Sequence, residues 1–212
     1  MTGFFFVHGW GFDAGIWKDV HAALGHPPAA FANLGYFGGA VWPEAAGPVI
    51  AVGHSLGAMR LLRKLPENCL GLIALNGFER FAAGRDDGAG VPRRVVGRMI
   101  ARFKAAPGAV LADFRQRCGT DEAAPGGAVQ ARLLADLELL LDGDERMAAL
   151  HLPCPVLALH GAEDAILPPG MRAAVFAGAE CATLAGHGHL LPLSAPEWCA
   201  ARIAAFASRI GR

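Results

Sequence analysis

The sequence predicts an α/β fold: a mainly parallel sheet of about six strands, carrying a helical insertion between residues 78 and 147. Three observations predict it. Short apolar runs at 4–7, 49–52, 71–75 and 155–159 are too brief for helices and apolar throughout, as strands buried on both faces are. Stretches with helical apolar spacing alternate with them, which calls for crossovers between parallel strands. One apolar run, Val49-Ile50-Ala51-Val52, passes directly into Gly53-His54-Ser55-Leu56-Gly57 and then into a helical pattern. With 212 residues, 53% hydrophobic and 18% charged, the chain has material for one such domain and its core.

Each element follows in turn. Residues 4–7 form the first strand and end in His8-Gly9-Trp10-Gly11. A helix over about 16–24 puts Trp17, Val20 and Leu24 on one face, and Pro27-Pro28 stops it. Residues 30–34 are a weak strand and 35–39 a loop. The serine-bearing strand follows Pro48, and a helix over 56–65 places Ala58, Leu61, Leu62 and Leu65 together. After the strand at 71–75 the pattern turns helical: Val95, Val96, Met99, Ile100 and Phe103; then Val110, Leu111 and Phe114; then Leu133, Leu134, Leu137, Leu140 and Leu141. Breaks at 84–90, 107–108 and 125–127 divide these helices. The sheet resumes at 155–159, with a helix at 170–176 and a strand at 181–184. A final helix opens on Ser194-x-x-Glu197, a capping-box pattern, with Trp198, Ile203, Phe206 and Ile210 on its apolar face.

This plan divides the chain into a core, 1–77 and 148–212, and a cap, 78–147. Formal net charge is zero, so bulk electrostatics gives no reason to expect nucleic acid. No apolar run approaches the ~18 residues of a membrane span, and the N-terminal run reads as a strand rather than a secretion signal. The five scattered cysteines form no Cys-x-x-Cys and are expected to be reduced thiols in a cytoplasmic protein.

Gly-x-Ser-x-Gly between a strand and a helix is the setting of a nucleophile elbow. The serine is held in a sharp turn beyond the sheet edge, and glycines two residues either side let strand and helix pass closely. A serine hydroxyl needs a base, usually a histidine oriented by a carboxylate. Ser55, Asp164 and His189 occur in the chain order this architecture uses, the latter two each just past a strand. Glu163 competes with Asp164 but lies one residue nearer its strand. His187 competes with His189 and makes His-x-His with it, yet no third ligand with metal spacing is evident. An oxyanion needs two donors, and the backbone N–H groups of Leu56 and Trp10 are placed to supply them. His8 is expected to be structural, bonded to nearby backbone.

These residues resemble an α/β-hydrolase, and the match runs nearly the whole chain. Within that superfamily the chain is most similar to the carboxylesterase family of biotin synthesis, which cleaves the methyl ester of pimeloyl-carrier protein. The likeness rests on His8 to Gly11 with Trp17, on Gly53 to Gly57, and on Phe114 with Gly119-Thr120-Asp121-Glu122. It continues in Leu137 to Leu140, Asp144-Glu145-Arg146, Asp164 to Pro168, and His189 to Glu197. The resemblance implies a serine esterase working through an acyl-enzyme without cofactor or metal. It also implies a small acyl-ester substrate attached to an acidic carrier, with Phe114 against the acyl chain; Cys118, four residues on, shares that helix face, and Trp10 is the third substrate-binding residue expected. Three departures stand out. The chain begins at the strand that usually comes third, the 38–48 segment is short for the usual helix, with Asn33 where Asp is usual, and the family's carrier-binding arginines are not matched position by position. Arg94, Arg98 and Arg102, on the polar face of the first cap helix, are the basic residues that suit a carrier, though such a face is also an ordinary solvated one. The same triad would serve a thioesterase or another small-ester or lactone hydrolase, and the fold also occurs without catalysis in ligand-binding proteins.

Overall fold

In the computed structural model, which describes residues 2–84 and 89–210, the strands are β1 (Gly3–Val7), β2 (Ala29–Ala32), β3 (Val49–His54), β4 (Cys69–Leu75), β5 (Val156–Gly161) and β6 (Glu180–Leu184). They form one sheet in the order β2-β1-β3-β4-β5-β6, every pairing parallel. The six strands are those expected from the sequence. Phe6 pairs with Val52 and Val52 with Ile73, so β1, β3 and β4 stack their apolar residues in register at the centre. Their side chains are fully buried, each such burial contributing roughly 1.5–3 kcal/mol.

The helices are α1 (Lys18–Ala23), preceded by a 3-10 turn at Ala14–Trp17, α2 (Leu56–Arg63), α3 (Arg93–Ala105), α4 (Pro107–Cys118), α5 (Gln130–Asp142), α6 (Arg146–Leu150), α7 (Pro169–Ala174), α8 (Leu191–Ser194) and α9 (Pro196–Ile210). One apolar cluster, with Trp17, Val20, Ile203 and Phe206, fills one face of the sheet and continues into α3, α4 and α5. A second, with Ala58, Leu61, Leu62, Leu72 and Ala158, fills the other face beneath α2.

Sequence reading and structure part in three places. Ser194 does not cap α9: it closes α8, its hydroxyl lies 3.1 Å from His187 Nδ1, and Ala195, at φ −147° and ψ 54°, separates it from Pro196. Cys199 and Ala200 are the buried start of α9's apolar face, while Trp198 is half-buried under Arg202. The 147/148 limit falls inside α6, whose Ala148 and Ala149 pack with the α2 cluster, so the helices above the sheet end at Asp142. Part of the break at 84–90 lies outside the described residues. Among the described residues no helix is long and apolar enough to cross a membrane.

Asp136 of α5 is buried between the two halves of the fold. It accepts the Tyr36 hydroxyl and pairs with Arg60 of α2. A buried carboxylate is tolerable only with such partners.

Candidate active site

Ser55 stands between β3 and α2 at φ 53°, ψ −124°, a backbone conformation that costs a side-chain-bearing residue on the order of 1–3 kcal/mol. The flanking glycines explain why the chain can hold it. A Cβ on Gly53 would stand 2.5 Å from the Ala58 nitrogen, and one on Gly57 only 2.2 Å from the Val7 carbonyl oxygen. Strand β3, strand β1 and helix α2 therefore meet at distances that only glycine allows, as the elbow spacing predicts. Leu56 begins α2, where the first-turn N–H groups have no intrahelical acceptor.

The 8–12 loop lies against this turn. Gly9 passes so close that a Cβ there would be 3.0 Å from Ser55 Cβ. That approach brings the Trp10 backbone beside the serine. The Trp10 ring is buried, donates from Nε1 to the Leu133 carbonyl at 2.8 Å, and meets Phe114 edge-on at 4.8 Å between centroids. His8 is a structural histidine here. Its Nε2 accepts the Leu34 N–H at 2.9 Å, so Nδ1 carries the proton and donates to the Gly9 carbonyl, and burial holds its pKa low.

Asp164 and His189 meet below the surface. His189 Nδ1 lies 2.8 Å from Asp164 Oδ2, both side chains fully buried. Asp164 Oδ1 accepts the Ile166 and Leu167 N–H groups at 2.7 and 2.9 Å. Burial resists ionisation of Asp164. The adjacent His189 and those N–H donors outweigh it, and the carboxyl stays below its usual range. Glu163 is exposed, and its N–H donates to the His187 carbonyl; His187 is half-buried with its ring on Ser194. His189 Nε2 is buried without a hydrogen-bond partner, so the Ser55–His189 hydrogen bond is not made in this structure. Among the described residues no group of three or more His, Cys, Asp or Glu side chains is arranged to hold a metal ion.

Three supporting residues escaped the sequence reading. Asn76, at φ 45° after β4, donates from Nδ2 to the Gly188 and His189 carbonyls at 3.1 and 2.8 Å and accepts the Gly161 N–H at 2.9 Å. It ties the β5 end to the His189 loop. His54 Nε2 donates to the His189 carbonyl at 2.9 Å. Arg115 of α4 donates to the Gly11 carbonyl at 2.9 Å and stacks 4.6 Å over Phe12, fixing the loop that carries Trp10. Asn76-Gly77 at a strand end and His54 beside the serine were visible signals; a buried arginine on a helix that also carries Asp113 and Arg117 gives none.

Between α3 and α4 runs a groove of about 410 Å³, lined by apolar Val95, Met99, Val110 and Phe114 and edged by Arg98, Arg102 and Arg117. Phe114 thus touches both the groove and Trp10. Cys118 is absent from the groove. It is buried, its thiol pushed well up by burial and by nearby Asp164. Arg102 is paired with Asp113 at 2.7 Å, whereas Arg94 and Arg98 have no carboxylate partner among the described residues.

The sequence model of the alpha/beta hydrolase family matches residues 4–202. The chain belongs to that family. Among curated proteins this hydrolase is 29% identical over 236 residues to the pimeloyl-[acyl-carrier protein] methyl ester esterase of Aromatoleum aromaticum, covering 93% of this chain and 94% of that one. It is 29% identical over 196 residues to the biotin biosynthesis bifunctional protein BioHC of Cellvibrio japonicus, covering 76% of this chain but only 38% of that longer protein. In fold it superposes on an esterase from Exiguobacterium antarcticum with a TM-score of 0.82 at 15% identity, over 98% of this chain and 92% of that one. A bromoperoxidase from Bacillus anthracis gives the same TM-score, identity and coverage, so the hydrolase's fold alone names no reaction.

Proposed function

We propose that this hydrolase is a serine carboxylesterase acting through an acyl-enzyme on Ser55. The buried His189–Asp164 pair carries the reading, because it leaves His189 with a free Nε2 and a fixed tautomer beside the strained serine turn. The Asp164 carboxylate accepts from Nδ1–H, so Nε2 is the basic nitrogen. His189 Nε2 takes the Ser55 proton as Oγ attacks the ester carbonyl; hydrogen bonds of this kind are often long before substrate arrives. The N–H groups of Trp10 and Leu56 hold the oxyanion, each such donor being worth about 10²–10³ in rate. His189 then gives the proton to the departing alkoxide, and a water, activated by the same nitrogen, releases the acid. No resident cofactor enters this scheme.

The α3–α4 groove favours a straight acyl chain, each buried CH₂ contributing about 0.8 kcal/mol, with Phe114 between groove and Trp10. The arginines at its edge suit an acidic carrier, and two relatives at 29% and 27% identity bear the name pimeloyl-[acyl-carrier protein] methyl ester esterase. Pimeloyl-carrier methyl ester is therefore the substrate proposed, in a cytoplasmic setting, with helices α3 to α5, within residues 78–147, acting as the cap. The test compares wild type with Ser55→Ala for the burst of nitrophenol from a p-nitrophenyl ester and for release of methanol from the carrier ester. A burst and methanol release, both lost in Ser55→Ala while the circular dichroism spectrum is kept, support the reading. Variant activity within tenfold of wild type ends the nucleophile assignment. A burst without methanol release keeps the esterase and removes the carrier substrate.

A further inference from the structure

At the opposite, N-terminal edge of the sheet two cysteines face each other. Strand β4 pairs with β5 through Leu72 and Val156, which sets Leu70 level with Cys154. A regular pleat would then turn Cys69 and Cys154 to opposite faces. The pleat is not regular. Against β3, Cys69 pairs with Val49 and Gly71 with Ile50, so β4 holds one extra residue, Leu70. Leu70 packs with the α9 cluster, and Gly71 faces Phe206 and Ile210 on that same side. Cys69 is thereby turned to the other face, with Leu72 and Val156. Cys154, two residues before Val156, belongs to that face as well, and the two thiols lie near enough for each to shift the other's ionisation.

Strands lie ~4.8 Å apart and rise ~3.3 Å per residue, so one residue of offset leaves about 5.8 Å between the Cα atoms, inside the range a disulfide spans. Both cysteines are half-buried, neither sealed in the core nor fully exposed. The neighbouring Cys154 lowers the Cys69 pKa to about 7, against burial, although as a thiol Cys69 also donates to the Gly71 carbonyl at 3.3 Å. Cys154 is pushed up and remains a thiol. The pair is thus a nucleophilic thiolate beside a resolving thiol.

We propose that Cys69 and Cys154 form a redox-active dithiol that hydroperoxides convert to a disulfide joining β4 to β5. The Cys69 thiolate attacks the terminal peroxide oxygen, the O–O bond breaks, and Cys69 becomes a sulfenic acid as hydroxide leaves and takes up a proton. The Cys154 sulfur, losing its proton, attacks the Cys69 sulfur, and the sulfenic oxygen departs as water. Two thiols and one hydrogen peroxide give one disulfide and two waters. None of these atoms belongs to the Ser55 site, so the proposal stands apart from the esterase reading.

The experiment treats the full-length protein with increasing hydrogen peroxide, counts thiols after denaturation, and analyses tryptic peptides by mass spectrometry. The expected result is a fall from five to three free thiols, restored by dithiothreitol, with peptide 65–80 linked to peptide 147–172. Cys154→Ser should stop at a Cys69 sulfenic acid that dimedone traps. Retention of both thiols at peroxide levels that oxidise exposed Cys181, or a link through any other cysteine, would overturn the proposal.

Discussion

His54 and His189 are joined through one hydrogen bond, ring nitrogen to backbone oxygen, with their ring centroids 4.9 Å apart. The contact makes His54 a neutral donor in a fixed tautomer. Burial and the neighbouring His189 hold its pKa at about 3, well under the ordinary 6.5, although Asp164 nearby pulls the other way. The unfolded chain therefore binds a proton that the folded chain refuses. Stability is complete above pH 6.5 and falls as pH drops from there toward 3. At pH 5 the loss from His54 alone is about 2 kcal/mol, and buried His8 adds a loss of the same sign. Urea midpoints between pH 8 and 5 should show this decline. A flat profile over that interval would mean that His54 is protonated in the folded state.

His189 and His187 are separable by mutation. His189→Ala removes the nitrogen assigned to proton transfer and should lower kcat by at least about 10³-fold. His187→Ala removes a ring whose nitrogen meets the Ser194 hydroxyl and should leave kcat within threefold. Inactive His187→Ala together with active His189→Ala would exchange their roles.

Asn76 ties the end of β5, ahead of Asp164, to the His189 loop. Asn76→Ala takes its partner from the Gly188 carbonyl and the Gly161 N–H and leaves the His189 carbonyl on His54 alone, costing on the order of 2–4 kcal/mol of stability. Its kcat should fall about 10-fold or more with KM little changed, because the acyl groove is untouched. A variant that loses stability but keeps wild-type kcat would make Asn76 structural only.

Phe114→Ala should raise KM several-fold more than it lowers kcat, with the loss growing along an acyl series from acetyl to octanoyl. Arg98→Glu should weaken the carrier substrate and leave p-nitrophenyl esters unaffected, and rising salt should reproduce that effect. Salt-independent turnover of the carrier ester would return Arg94, Arg98 and Arg102 to the role of a solvated surface.

The central strands were legible because β1, β3, β4 and β5 are buried on both faces and spell that out as unbroken apolar runs. The elbow was legible because its steric demand falls on two glycines at fixed spacing. The supporting shell was less so. Asn76 and Arg115 act through backbone groups of segments 85 to 113 and 104 residues away in sequence, and no local pattern marks such a partner. Ser194 was misassigned because a cap motif states chemistry but not where the backbone leaves the helix. Phe114 and Cys118 share a face of α4, yet only Phe114 reaches the groove, since α4 closes over the Asp164 loop at its C-terminal end.

The Asp136 contact with Arg60 and Tyr36 divides labour within the upper helices. Helix α5 is chained by charge to the helix that begins at the nucleophile, whereas the groove-facing sides of α3 and α4 are set by interchangeable apolar side chains. Val95 and Met99, exposed and half-buried on that groove, make no contact of this kind with the anchor. Under the proposed esterase reading, acyl preference would drift through the groove in lineage or laboratory while the Ser55 turn stays put.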